Sequence, residues 1–306
     1  MKDTMSEIKK RILLLGGNGY IGSKLYDHLS FLDYDVINVD LCWFGKIYEN
    51  TIQENYNNLS KEFINGFSHV VLLAAHSSVS MCKDSLIPCF ENNVYNFIKL
   101  IEKLNDDQIL IYASSAAVYG NNDKLVNESH PLNGGISYYD YTKICNENIT
   151  NLYPNKKILG LRFGSIGGFS KNFRGENLLN SISLSSLKSN KITITNPENF
   201  RSVLGMSDLC RAISVILDTD KIKNKVYNIT SINAKIIEFA ETIRSITKCE
   251  LIVNDTFPTN YSFNCDNSLF QKDYNFKFQD TANSIYTDVV NNVDNIISNL
   301  KRESRE

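Results

Sequence analysis

The sequence predicts an α/β fold, a doubly wound parallel sheet followed by a smaller α/β unit. Three observations carry that prediction. Short apolar runs are continuous rather than alternating, as strands buried on both faces require. Longer helical patterns separate these runs. Glycines spaced three apart stand between the first run and the first helix.

"RILLL" opens the sheet, and Tyr20–Phe31 reads as the helix behind it. "YDVINVD", "HVVLLAA", "QILIYAS" and "KILGLRF" continue the sheet, with amphipathic helical stretches over 85–104 and 139–153. These elements assign residues 1–166 to one unit. After Gly168 the rhythm changes. "NLLNSISLSSLKSN" and "SDLCRAISVIL" read as helices and "KITIT" as a strand. "KVYNIT" is a strand expected to rejoin the first sheet, so segments around 203–230 return to the first unit while 167–306 form the second. Residues 231–306 read as helix, strand and two further helices.

With 306 residues the chain can bury a large core and more than one compact unit. Its net charge of −2 is spread out, without the basic stripe that nucleic acid or an anionic membrane would call for. No apolar run approaches the ~18 residues of a membrane span, and "ILLL" is too short a core for a secretory leader. The seven cysteines form no CxxC pair. Reduced structural thiols in a cytoplasmic protein, with no metal site, are the expectation. His76, Cys82 and Cys89 come nearest to a ligand cluster, at spacings that do not suit zinc.

"LLLGGNGYIGSKL" puts Gly16, Gly19 and Gly22 at a strand-to-helix junction. Glycines there let the backbone approach a pyrophosphate, which sits on the helix N-terminus where amide N–H groups favour anions. Asp40 ends the second strand about 20 residues on, positioned to accept hydrogen bonds from ribose hydroxyls and to repel a 2′-phosphate. The pattern predicts NAD over NADP.

"YYDYTK" offers three tyrosines beside one lysine. Helical neighbours three or four apart share a face, which selects Tyr139 to pair with Lys143 over Tyr138 and Tyr141. A lysine ammonium and a positive nicotinamide ring would lower the phenol pKa, so that Tyr139 could take a proton from a substrate hydroxyl. "ILIYASSAAVYG" puts Ser114 and Ser115 at the carboxyl end of a buried strand, where such sheets bind ligands.

On these residues the sequence resembles the extended short-chain dehydrogenases/reductases that act on nucleoside-diphosphate sugars. The resemblance takes in "GGNGYIG", "SSAAVYG", "YDYTK...E", "LRFGSIGG", "NLLNSI" and "FRSVLGMSDL", and runs over nearly the whole chain. It implies a Rossmann-type NAD domain and a substrate domain for the nucleotide sugar. By it, Ser115, Tyr139 and Lys143 are catalytic. Gly16, Gly19, Tyr20, Ile21, Gly22, Asp40, Ala74, Ala75 and Asn93, with Tyr139 and Lys143, hold the cofactor. Ser78, Ser115, Arg174, Asn177, Asn180 and Arg201 bind substrate.

The implied activity is NAD-dependent oxidation at C4, completed as a 4-epimerase. The alternative is a C4 dehydrogenase or 4-keto-reductase on a GDP- or UDP-linked hexose or heptose of surface-polysaccharide synthesis. Separately from the resemblance, the helical segments 92–104 and 139–153 offer a face for a symmetric homodimer. Relatives that expel water carry Asp-Glu where this sequence has Ala116 and Ala117, so a 4,6-dehydratase is not expected. Ser165, Gly167 and Gly168 are small enough for a roomy pocket.

Overall fold

The computed structural model describes residues 10–83, 85–134, 137–219, 221–254 and 261–303. Seven parallel strands form the main sheet. They are β1 (Arg11–Leu15), β2 (Asp35–Asp40), β3 (Ile52–Gln53), β4 (His69–Leu72), β5 (Ile109–Ser115), β6 (Lys157–Phe163) and β7 (Val226–Ile229). Their order across the sheet is β7-β6-β5-β4-β1-β2-β3. The chain leaves β1 toward β2 and β3, then returns to β4 on the other side of β1. That reversal opens a crevice beyond the carboxyl ends of β1 and β4, where sheets of this kind take ligands.

Continuous apolar strands fit this arrangement because both faces are covered. Leu14, Val71 and Ile111 pack on one face with Leu25 and Leu29 of α1 (Tyr20–Phe31). Leu13, Val70 and Leu110 pack on the other with Phe97, Leu100 and Ile101 of α2 (Asn96–Lys103). Helix α3 (Tyr138–Thr150) starts at a reciprocal cap. The Asp140 amide donates to Ser137 Oγ at 3.2 Å, and the Ser137 amide donates to Asp140 Oδ2 at 3.1 Å. This fixes the first turn, which carries Tyr139.

A third core, around Leu179, Ile192, Val203, Phe239 and Ile285, lies under the smaller sheets and α4 (Leu178–Ser189). There Phe200–Gly205 pairs with Ser165–Gly167 and Ile232–Lys235, and Lys191–Thr195 pairs with Glu250–Asn254. Asn122–Val126 and Phe263–Cys265 form a further pair.

Several expectations need correction. Three helices follow the last strand, at Ser268–Tyr274, Ala282–Asn291 and Val293–Glu303, where the pattern suggested two. The helical stretch over 85–104 is interrupted by a π turn at Glu91–Tyr95. Cys82 and Cys89, read as reduced thiols, are joined as a disulfide, while the other five cysteines are free. Among the described residues no helix is long and apolar enough to cross a membrane.

Candidate active site

The cofactor end of the crevice is shaped by backbone proximity. Gly16 has φ +93°, and a Cβ there would meet the Ala74 amide nitrogen at 2.5 Å. A Cβ on Gly22 would stand 2.0 Å from the Gly16 carbonyl oxygen, so α1 packs against the loop as only glycine permits. Gly19 is the N-cap of α1 and no side chain caps it, which leaves the helix's first amides to an anion. Asp40 is oriented by the loop itself. Its Oδ2 accepts from the Asn18 amide at 2.9 Å, and its Oδ1 accepts from the Cys42 amide at 2.6 Å. These features fit a dinucleotide: a pyrophosphate on α1 and a ribose against Asp40.

A cavity of about 270 Å³ runs from this loop to α3. It is lined by Gly16, Gly19, Tyr20, Ile21, Gly22, Asp40, Ala74 and Ala75 at one end, and by Ser115, Tyr139 and Lys143 at the other. Tyr138 and Tyr141 are exposed on the opposite face of α3. Lys143 is buried, its Nζ donating to the Ala113 carbonyl at 2.7 Å and lying 5.5 Å from the Tyr139 ring centre. Burial pushes its pKa down to about 8, and the charge of Glu147 opposes that fall. The lowered phenol anticipated for Tyr139 is not found in the protein alone. Burial is the largest influence and raises it, while the Ser115 hydroxyl and the positive charge of Arg174 work the other way.

The cavity continues to Arg174 and Asn177. Arg174 Nη2 donates to Ser77 Oγ at 2.7 Å, and Asn177 Nδ2 donates to the Ile166 carbonyl at 3.0 Å. Asn177 also borders a second cavity with Ser165, Glu176, Thr193, Thr195 and Arg201. Arg201 lies over the Phe263 ring, at 5.4 Å, with its pKa lowered to about 10 by burial. Among the described residues no carboxylate pairs with it.

Three of the residues chosen from the sequence line neither cavity. Asn93 is buried and spans two elements. Its Oδ1 accepts from the His76 amide, and its Nδ2 donates to the His76 carbonyl and to Thr142 Oγ1. Asn180 accepts from the Gly168 amide and donates to Tyr20 Oη and to the Arg174 carbonyl. Ser78 accepts from the Met81 amide, and its neighbour Ser77 lines the cavity instead. Gly167 and Gly168 are small for packing, against Ile285 and against Met206 and Asp288. The lining also includes Trp43, Phe44, Glu54, Asn55 and Asn92, which sequence reasoning missed. Trp43, the single tryptophan, was the one available signal.

Comparison with known proteins agrees with this geometry. The chain is 31% identical over 178 residues to a UDP-glucose 4-epimerase of Lactobacillus helveticus, a match spanning 52% of this chain and 53% of that relative. It thus spans about half the length of that protein. Among solved structures, UDP-N-acetylglucosamine 4-epimerase from Methanobrevibacter ruminantium M1 is similar in fold, with a TM-score of 0.81 at 22% identity over 95% of this chain and 99% of that one. An NAD-dependent NDP-hexosamine 5,6-dehydratase of tunicamycin biosynthesis has a TM-score of 0.80 at 18% identity, covering 91% and 96%. The model of the NAD dependent epimerase/dehydratase family matches residues 12–230, which hold every residue lining the main cavity except Phe263; the chain belongs to that family, and its cofactor is NAD.

Proposed function

We propose that the protein is a nucleoside-diphosphate-sugar 4-epimerase, with residues 1–166 and the returning strand β7 holding NAD and the 167–306 unit holding most of the nucleotide sugar. The observation that carries this reading is the single cavity joining the glycine loop to Ser115, Tyr139 and Lys143. NAD, when bound, supplies a hydride acceptor for C4 and, once reduced, the donor that restores it. Tyr139 takes the proton of the C4 hydroxyl, Ser115 holds that oxygen, and Lys143 supports the phenolate with its charge. Asn177 and Arg201 suit a diphosphate, since charge-assisted hydrogen bonds to phosphate are strong.

Contacts that would retain the cofactor favour an epimerase over a net dehydrogenase. The segment after Gly168 is fastened across the cofactor loop. Tyr20 donates to the Gly168 carbonyl at 2.7 Å, Asn172 donates to the Asn18 carbonyl at 2.8 Å, and Lys171 pairs with Asp27 at 2.8 Å. Such a strap suits NAD that is recycled in place.

We further propose a cytoplasmic homodimer, paired through the exposed Tyr95, Tyr138 and Tyr141. Sedimentation velocity tests the dimer, and a monomer at working concentrations would refute it. Incubation with UDP-, GDP-, dTDP- and CDP-sugars without added NAD tests the reaction. A C4 epimer by NMR with no lasting NADH fluorescence is expected. Stoichiometric NADH that persists until a keto acceptor arrives would mean the dehydrogenase or 4-keto-reductase instead.

A further inference from the structure

Behind the catalytic wall lies a buried ionic network. Glu147 follows Lys143 by four residues on α3, so the two side chains share one face. Glu147 and Arg162 are only 5% and 4% exposed. Arg162 of β6 donates through Nη2 to Glu147 Oε2 at 2.6 Å and through Nε to Oε1 at 3.0 Å. Ser114 Oγ donates to the same Oε1 at 2.5 Å. Arg162 Nη1 donates to Tyr119 Oη at 2.6 Å, and Tyr119 donates to Asn228 Oδ1 at 2.7 Å.

The contacts converge on the end of β5. Ala113 gives the carbonyl that holds Lys143, Ser114 is held by Glu147, and Ser115 faces Tyr139. We propose that Glu147 is a positioning residue for the proton-transfer pair: it clamps the end of β5 through Ser114, and its charge keeps the buried Lys143 protonated. This rests on the reading of Tyr139 and Lys143 as that pair.

The charged and titratable surroundings are few. Lys143 is faced by Tyr139 and Glu147 from its own helix, and by a backbone carbonyl from β5. Glu147 is faced by Arg162 from β6 and Tyr112 from β5, with Tyr119 and Glu128 beyond Arg162. A bare ammonium in this setting is opposed by desolvation; the Ala113 carbonyl holds it by a hydrogen bond, and Glu147 supplies the opposing charge. A Glu147→Gln side chain could still accept from Ser114, so it separates charge from shape.

Lysine labelled with carbon-13 at Cε reads the Lys143 titration by NMR, with Lys143→Met assigning the signal. No substrate is needed, so absent turnover would count against the functional reading, whereas this titration tests Glu147 alone. In Glu147→Gln the Lys143 midpoint should fall by about one pH unit or more, and the alkaline limb of turnover should move with it. Glu147→Asp, which keeps the charge, should hold the midpoint near the wild-type value. If Glu147→Gln leaves Arg162 unpaired and does not fold, Glu147→Gln/Arg162→Gln removes both charges, and a smaller fall in the same direction is expected, because the Arg162 cation that opposes the ammonium is lost with the carboxylate. A midpoint unmoved in whichever of these charge-removing variants folds would overturn the proposal.

Discussion

Lys143 holds its ammonium 5.5 Å from the centre of the Tyr139 ring while donating to the Ala113 carbonyl at 2.7 Å. The lysine is therefore tied to the strand that ends in Ser115, and the phenol beside it is the only tyrosine of "YYDYTK" that lines the cavity. Tyr139→Phe should leave NAD binding intact and lower turnover by about 10²–10⁴, the range for a removed general acid/base. Tyr138→Phe and Tyr141→Phe, on the exposed face, should change turnover less than about twofold. Steady-state rates of the three variants decide, and a damaging Tyr141→Phe would refute the assignment.

Burial pushes the Lys143 pKa down to about 8. Between that value and the free lysine value of about 10.4, the unfolded chain binds more protons than the folded protein. Stability from this group therefore rises with pH across that window, and below about 8 the buried charge is carried at its full cost. Lys143→Met should raise the melting temperature at neutral pH, and the gain should shrink as the pH climbs through the window. A gain of equal size at both ends would show that packing, not charge, is responsible.

The sheet and helix α3 were legible because their signals are periodic. Strands such as "HVVLLAA" are apolar at every position, and Tyr139 and Lys143 fall four apart on one helix. Ile52–Gln53 and Ser165–Gly167 were not legible, since two or three residues have no period to read. Missing that short edge strand hid Glu54 and Asn55, which follow it into the cavity. The π turn at Glu91–Tyr95 leaves composition unchanged, and of the two adjacent asparagines in it one lines the cavity. Asn92 does, while Asn93 is spent on His76 and Thr142. The pairing of Cys82 with Cys89 depends on a fold of the loop after β4 that no spacing rule reveals.

Asp40 receives two backbone amides, from Asn18 and Cys42, and also lines the cavity. Asp40→Ala should weaken NAD binding and narrow the preference over NADP, because repulsion of a 2′-phosphate leaves with the carboxylate. Titrating both cofactors measures it, and an unchanged ratio would mean that another residue reads the ribose.

The strap over the cofactor loop predicts a change in release rate rather than in chemistry. Asn172→Ala removes the hydrogen bond to the Asn18 carbonyl, a contact between neutral groups worth about 1 kcal/mol. NAD should then escape about fivefold faster on dilution, with turnover under saturating NAD little changed. Equal release rates would show that the strap does not retain the cofactor.

The last prediction tests the expectation, drawn from Ala116 and Ala117, that the protein does not expel water from its substrate. Expelling water from a 4-keto sugar requires an acid for the departing hydroxyl and a base for the neighbouring carbon-bound proton. Among the described residues, the only carboxylates lining the main cavity are Asp40 and Glu54, near the ends of β2 and β3. Directly after Ser115, where such a pair would be close to the sugar, stand Ala116 and Ala117, which are 1% and 8% exposed. Neither alanine can donate or accept a proton, and in the proposed reaction Tyr139 serves the C4 hydroxyl. Wild-type protein incubated with UDP-, GDP- and dTDP-hexoses should therefore yield no product lighter by one water in the mass spectrum, even after long incubation. The C4 epimer, which has the mass of the substrate, should appear in the NMR spectrum of the same samples. A product one water lighter that carries a keto group would overturn the argument from the two alanines and point to another acid and base in the cavity.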